Sequence, residues 1–157
     1  CNFLIFYLSE INFTDCEFSD SNLTTAKITN TAFREVTFKD CKIMGLRFDS
    51  CNPFLFEVEF ENCNLSHSIF FKMKLKNTKF KNSTLHEVDF TETDLSSIKF
   101  DNCDLKRATF VGSILEKADF RNADNYSFDP ELNRINKAKF STAGIVGLLD
   151  KFDIVIE

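Results

Sequence analysis

The sequence has no tryptophan, four glycines and two prolines in 157 residues. Most β-rich folds set Gly and Pro at their turns, so a β-rich chain of this composition must turn in another way. Long apolar runs are missing as well. Nothing approaches the roughly 20 residues that span a bilayer, and no signal-peptide pattern is visible. Neither sign of charge dominates: 24 acidic residues face 19 basic ones, for a net charge of −5. That mild acidity argues against direct nucleic-acid binding. No GxSxG, Walker loop, GxGxxG or HExxH motif occurs, and His67 and His86 fall at separate outward positions. These absences lead us to expect no enzyme, no cofactor, no metal and no membrane contact, and a cytoplasmic protein. The chain opens on Cys1 rather than Met, so a preceding segment is expected.

What the chain does have is phenylalanine, 20 residues of it, placed by rule. In NSTLHEVDFTETDLSSIKF (82–100) a large apolar residue falls at Leu85, Phe90, Leu95 and Phe100. The same period of five runs from Phe3 through Phe13, Phe33 and Phe38 to Phe48. It resumes from Leu55 through Phe60, Phe80 and Phe110 to Phe120. Between the runs the phase slips by two residues, at CNPFLF (51–56). A repeat this regular outranks local propensity.

Two residues before each centre sits a small residue, such as Ala26, Thr31, Ser68, Thr93 or Ser113. All six cysteines (1, 16, 41, 51, 63 and 103) share that phase, with no CxxC pair. They read as small buried thiols, with metal or redox roles as the alternative. Small and large positions two apart lie on one face of an extended segment. A straight strand would send the next centre to the opposite face, so the chain must turn once per pentad. Repetition winds a polygonal solenoid with the centres inside. A helix fails, because five residues advance it by about 500° and smear the centres around its axis. From Leu55 to Phe120 the centres alternate Leu and Phe. Stacked coils keep that alternation in columns only if each coil has an even number of sides.

The run SSIKF DNCDL KRATF VGSIL EKADF resembles the pentapeptide repeat family. Beside a short C-terminal capping helix read from the spacing of the tail, the resemblance implies an all-β, right-handed quadrilateral β-helix of four repeats per coil, about six coils here. It divides the chain into a β-helix over residues 1–124, with the phase slip at about 51–54, and a cap over 125–157. With 20 residues per coil, residue i stacks on i+20. Glu59 then meets Lys79, Glu61 meets Lys81, Lys72 meets Glu92 and Lys74 meets Asp94. The lysine-rich KMKLKNTKFK (72–81) therefore reads as a paired, solvated face rather than a phosphate-binding stripe.

Some flanking positions break the outward-polar rule: Phe54, Phe56, Ile69, Phe71, Val111 and Ile114. Exposed apolar clusters mark contacts. Phe54, Phe56 and Phe71 are candidate partner-binding residues, the alternative being that the 51–56 bulge folds over its neighbours. In the tail, Asp129–Pro130 signals a turn. Ile145, Leu148, Leu149 and Phe152 have the spacing of an amphipathic helix, and Ile154, Val155 and Ile156 that of a last strand. A solenoid needs its open end covered. The tail serves as a cap, or as a cap and a homodimer contact through those four residues.

FDPELNRI…FS…GIVGLLDKFDIVI is similar to the ends of quinolone-resistance and microcin-immunity members of the family. That resemblance implies a non-catalytic bacterial protein that imitates duplex DNA and binds a type II topoisomerase, either DNA gyrase or topoisomerase IV. Mimicry needs a continuous acidic stripe. Its candidates are Glu87, Asp89, Glu92, Asp94 and Asp104, with Asp15, Glu17, Asp20, Glu35 and Asp40 toward the N-terminus. Nearly balanced charge along the chain, and the absence of long projecting loops, weigh against mimicry, and the alternative is a general protein-binding scaffold of unknown partner.

Overall fold

The structure, a computed structural model, describes residues 7–156; Cys1 and Phe3 lie outside the described residues. The chain winds as a four-sided parallel β-solenoid. One side is a five-stranded parallel sheet of β1 (Asn12–Ser19), β2 (Ala32–Lys39), β3 (Val58–Glu61), β4 (Lys79–Lys81) and β5 (Phe100–Asp101), with β1 and β2 continuing round the corner at Asp15 and Glu35 onto the preceding side. The next side carries β6 (Cys103–Asp104) and β7 (Ala123–Asp124). Single parallel bridges hold the other two, as in Ile69↔Asp89↔Thr109 and Lys74↔Asp94↔Ile114. The register is the expected one: Phe80 pairs with Phe100, and Cys103 with Ala123.

The scarcity of glycine is resolved at the corners. Each centre opens a tight turn, as in Ser68 N–H to the Leu65 carbonyl (3.0 Å) and Ala108 N–H to the Leu105 carbonyl (2.9 Å). The third turn residue takes positive φ, and it is mostly not glycine: His67 (62°), Lys72 (59°), Glu87 (55°), Ser97 (63°) and Arg107 (59°) do so. A lone residue pays for a left-handed backbone. Here the ladders above and below fix each corner, and the side chain points freely into solvent. One corner uses the residues that tolerate this conformation best: Asp20, Asp40, Asn62, Asn82 and Asn102. Their side chains bond along the axis, Asn62 Nδ2 to Asp40 Oδ1 (3.1 Å) and Asn102 Nδ2 to Asn82 Oδ1 (3.0 Å).

Inside, the centres form columns. Phe38, Phe60, Phe80 and Phe100 stack with ring centroids 5.5, 5.4 and 5.6 Å apart. Phe48, Phe70, Phe90 and Phe110 stack at 4.7, 5.4 and 5.2 Å. Between columns the rings meet edge to face, as Phe70 and Phe80 do at 6.0 Å and 90°, the preferred aromatic arrangement. Leu65, Leu75, Leu85, Leu95, Leu105 and Leu115 fill the alternate sides and are fully buried. The small positions have a second task. Thr31, Thr93 and Ser113 donate their hydroxyls to the centre carbonyls of the preceding coil: Leu8, Phe70 and Phe90, at 2.7, 2.7 and 2.8 Å. Cys63 donates its thiol to the Phe38 carbonyl (3.3 Å) in the same way. Ser, Thr and Cys are thus the side chains small enough for the site that also supply a proton.

Four expectations need correction. Leu55 is not a core centre. It lies outside, 65% exposed, with φ of 56°, while Phe56 is 5% exposed and packs on Phe33 and Phe48. The two extra residues lengthen one coil to 22, so Val36 pairs with Val58. The surplus bulges outward as Pro53–Leu55, and the larger Phe56 ring closes the column. Phe56 is therefore no surface residue. The tail is not an amphipathic α-helix: it makes two 3-10 turns, Gly144–Leu148 and Asp150–Phe152. Two glycines in five residues disfavour an α-helix, and left-handed Asp153 ends the segment. Ile154 to Ile156 form no strand and are exposed. The parallel register itself continues beyond residue 124, through Ile114↔Arg134 and Asp119↔Lys139.

Candidate partner-binding surface

The five acidic candidates of the C-terminal half do not form one stripe. Glu87 and Glu92 sit at two successive corners, and Asp89 on the side between them. Asp94 and Asp104 occupy the two flanking sides, as their registers with Lys74 and Thr84 show. Four of the five face a basic partner. Glu87 lies 3.5 Å from His67 and 3.8 Å from Arg107. Glu92 lies 3.4 Å from Lys72, Asp94 3.3 Å from Lys76 and Asp104 2.7 Å from His86. Asp89 accepts the Thr91 backbone N–H (2.8 Å). Burial opposes ionisation of Asp94 and Asp104. Hydrogen bonds from Ser96 and Lys76, and from His86 and Asn125, outweigh it and hold both carboxyls below the usual range.

The lysine-rich segment is paired as its register requires: Lys79 to Glu59 and Lys81 to Glu61, both at 2.9 Å. The partner of Asp94 is Lys76 rather than its register neighbour Lys74. Arg121 turns to Asp119 across Phe120 (2.8 Å), and Lys99 to Asp101 across Phe100 (3.1 Å). Two outward residues flanking one centre compete with the neighbours on adjacent coils.

The N-terminal half differs. Asp15, Glu35 and Glu57 stack at one corner on three successive coils, fixed by the pairing of β1 with β2 and of Val36 with Val58. None of the three makes an ion pair among the described residues. Glu17 and Glu59 flank this corner on the adjoining side. Asp40 is tied to Asn62 in the next corner ladder. Toward the C-terminus the acidic corner continues as Asn77, Ser97, Lys117 and Lys137, so its charge changes sign along the rod.

Two residues before Glu57 lies the tip of the bulge. Phe54 and Leu55 are each 65% exposed. The Phe54 N–H is held by Asn52 Oδ1 (3.0 Å), and the Arg34 guanidinium lies 5.7 Å from the Phe54 ring. Phe71 belongs to a different side and is partly covered by Lys72, whose Nζ lies 4.7 Å from the ring. The structure therefore leaves Phe54 exposed, separates it from Phe71 and puts Leu55, not Phe56, beside it.

At the other end, Leu148 is buried and seats the cap on the last coil, while Ile145 and Phe152 remain exposed and Leu149 is half-buried. Lys151 clamps the segment by reaching Asp129 (2.8 Å) and Glu131 (2.7 Å). Gly144 and Gly147 lie against Tyr126. A Cβ at Gly147 would run into the Tyr126 carbonyl, and one at Gly144 into its hydroxyl. Among the described residues no three His, Cys, Asp or Glu converge as a metal site, and no helix is long and apolar enough to cross a membrane. Sequence reasoning named Asp15 and Glu35 but missed Glu57 and the stack that the three form. Its signal was present: an acid at the turn position of three consecutive coils, once the slip is counted as two.

Residues 54–126 match the family described as pentapeptide repeat region, and residues 7–42 match pentapeptide repeats in eight copies. No curated protein sequence matches the chain. Among solved structures, a trypsin-treated variant of QnrB1, a plasmid-mediated fluoroquinolone resistance protein, is 15% identical. That match covers 94% of this chain and 99% of its own, with a TM-score of 0.43. A pentapeptide repeat protein of the Arabidopsis thaliana thylakoid lumen is 18% identical over 91% and 90% of the two chains, with a TM-score of 0.42. HetL, a regulator of heterocyst differentiation from the cyanobacterium Nostoc sp. strain PCC 7120, is 15% identical over 83% and 86%, with a TM-score of 0.33. With its five-residue period, four-sided coil and inward Leu and Phe columns, the chain belongs to the pentapeptide repeat family.

Proposed function

We propose that the chain is a non-catalytic binding rod of the cytoplasm whose partner is a protein with a basic docking face. The observation that carries this reading is the stack of Asp15, Glu35 and Glu57, without ion pairs among the described residues, beside the exposed Phe54 and Leu55. Like charges on adjacent strands repel, so a cationic partner surface would relieve them. The apolar tip supplies an anchor of the kind that dominates interface energies. Five free thiols fit a reducing compartment.

Type II topoisomerases, DNA gyrase first, are the partner class to test. Carboxylates at roughly 4.8 Å per coil approach the charge spacing of one DNA strand, about 3.4 Å per phosphate. They do so over three coils only, because the same corner continues as Asn77, Ser97, Lys117 and Lys137. The reading is therefore of a compact acidic patch rather than a duplex-length track. The exposed Ile145, Val146, Phe152 and Ile154 support self-association of two copies through the cap.

The test is a gyrase supercoiling assay, with and without a quinolone, using the wild-type chain, the E35K/E57K double variant and F54K. The wild type is expected to change supercoiling or the yield of cleaved complex in the micromolar range, and both variants to lose the effect. An unchanged assay with the wild type removes the topoisomerase. Equal potency of the variants removes the patch. Light scattering of the wild type against I145D reads the dimer: equal masses at monomer value for both would sink it.

A further inference from the structure

We propose that Cys41 and Cys63 form a peroxide-sensitive dithiol that closes to a disulfide between successive coils. The two occupy the same inward position one coil apart. Lys42 pairs with Asn64, and the Asn64 N–H donates to the Cys41 carbonyl at 2.9 Å. Parallel neighbours lie about 4.8 Å apart with both Cβ atoms directed to the same side. That is inside the 4.4–6.8 Å range of Cα separations that a disulfide bridges. In this column, which runs Ser21, Cys41, Cys63, Ser83, Cys103 and Ala123, they are the one pair of thiols on adjacent coils. Cys16 and Cys51 stand in other columns, next to Val36 and between Thr31 and Met73.

The surroundings suit the chemistry. Cys41 and Cys63 are 2% and 3% exposed. Both residues border a surface groove of about 340 Å³ shared with Asp40, Lys42, Asn62, Asn64 and Thr84, while their thiols turn inward to the Phe18 and Phe38 carbonyls. Thiols this buried select a small oxidant over a bulky one. The neighbouring Cys63 thiol holds the Cys41 thiol down, to about 7, against burial, and is itself held up. Cys51 and Cys103, without a thiol neighbour, are both raised by burial, Cys103 to about 11. A lowered thiol is the one that attacks.

The reaction balances in two steps. The Cys41 thiolate attacks one oxygen of hydrogen peroxide, the O–O bond breaks, and water leaves after taking up a proton. Cys41 is then a sulfenic acid. The Cys63 sulfur attacks it, the S–O bond breaks, the S–S bond forms, and a second water departs with the Cys63 proton. Two thiols are oxidised by two electrons and one peroxide is reduced to two waters. The link would span the 22-residue coil that carries the Pro53–Leu55 bulge, and so would staple that irregular coil to its neighbour.

The experiment exposes the folded full chain to hydrogen peroxide, blocks remaining thiols with an alkylating agent and maps peptides by mass spectrometry without reduction. The expected result is a Cys41–Cys63 cross-linked peptide, loss of two free thiols and reversal by dithiothreitol. C41S and C63S should each abolish the link, and C51S and C103S should leave it. Serine already occupies positions 21 and 83 of this column, so the variants fit the site; circular dichroism before oxidation checks that they fold. Sulfinic acid at Cys41 without a link, a link through another cysteine, or untouched thiols after oxidation of a surface methionine control would each overturn the proposal.

Discussion

The regular coils between Val58 and Phe120 and the two irregular segments, 51–57 and 125–132, solve one problem in opposite ways. In the regular coils the register is kept and the residue at each centre is apolar. In the irregular ones the register assigns the centre to an unsuitable residue, and the chain shifts to find another. At 53–55 two surplus residues are expelled and Phe56, rather than Leu55, completes the Phe33 column. After Leu105 the register reaches polar Asn125, and after Phe110 it reaches Pro130. Tyr126 and Phe128 enter the core instead, with the Phe128 ring 5.1 Å from Phe110. What is preserved is occupancy of the inner column. An empty rung would cost transfer energy and a cavity together, more than the strain of one irregular turn.

The comparison predicts unequal penalties for the same truncation. Phe90→Ala should cost about 3–5 kcal/mol, since Phe70 and Phe110 are held by ladders and cannot move in to fill the space. Phe56→Ala should cost less, about 2–3 kcal/mol, because Leu55 adjoins the site on a bulge free to rotate inward. Urea unfolding of the two variants measures the difference. Equal losses would mean that the bulge is as rigid as a regular coil.

A smaller and more local effect is expected at the cap. Gly147→Ala drives a methyl against the Tyr126 carbonyl and should destabilise the cap by about 1–3 kcal/mol, the range for overpacking. Hydrogen exchange should speed up over residues 144–152 and stay unchanged over β3 and β4. Loss of protection along the whole rod would show that the cap is needed to hold every coil, and would erase the distinction between regular and terminal segments.

The split between regular and irregular also separates what could be read from the sequence from what could not. The period of five, the even-sided coil, the thiol phase and the pairs Glu59–Lys79 and Glu61–Lys81 follow from pattern, because ladders transmit one register through the whole stack. Leu55 was misplaced because a bulge leaves two adjacent apolar residues competing for one site. That contest is settled by ring volume against Phe33 and Phe48, not by spacing. The tail was read as an α-helix from an apolar stripe, whereas Gly144 and Gly147 and the seat on Tyr126 decide its form. Ion-pair partners were illegible where a base on the same side competes with those on adjacent coils. Asp119 had both Lys99 and Lys139 as register neighbours, and it is Arg121, on its own strand, that binds it.

That last pair gives the smallest expected effect, and it sharpens the comparison by asking whether the outer columns matter as the inner ones do. Arg121 donates Nε to Asp119 Oδ1 (3.0 Å) and Nη2 to Oδ2 (2.8 Å). These bonds depress the carboxyl to about 2, against an opposing burial. A folded-state value below the unfolded one of about 3.9 means that the unfolded chain binds the proton more tightly. The stabilisation is therefore complete above about pH 4 and lost as pH falls through about 2. Solvent screening of the exposed guanidinium limits it to about 1 kcal/mol or less. Asp119→Asn should lower stability by that amount at pH 7, and the wild-type and variant curves should converge as pH approaches 2. Parallel curves down to pH 2 would mean that the pair orders the surface without stabilising the fold, and that the inner columns carry the stability of the rod.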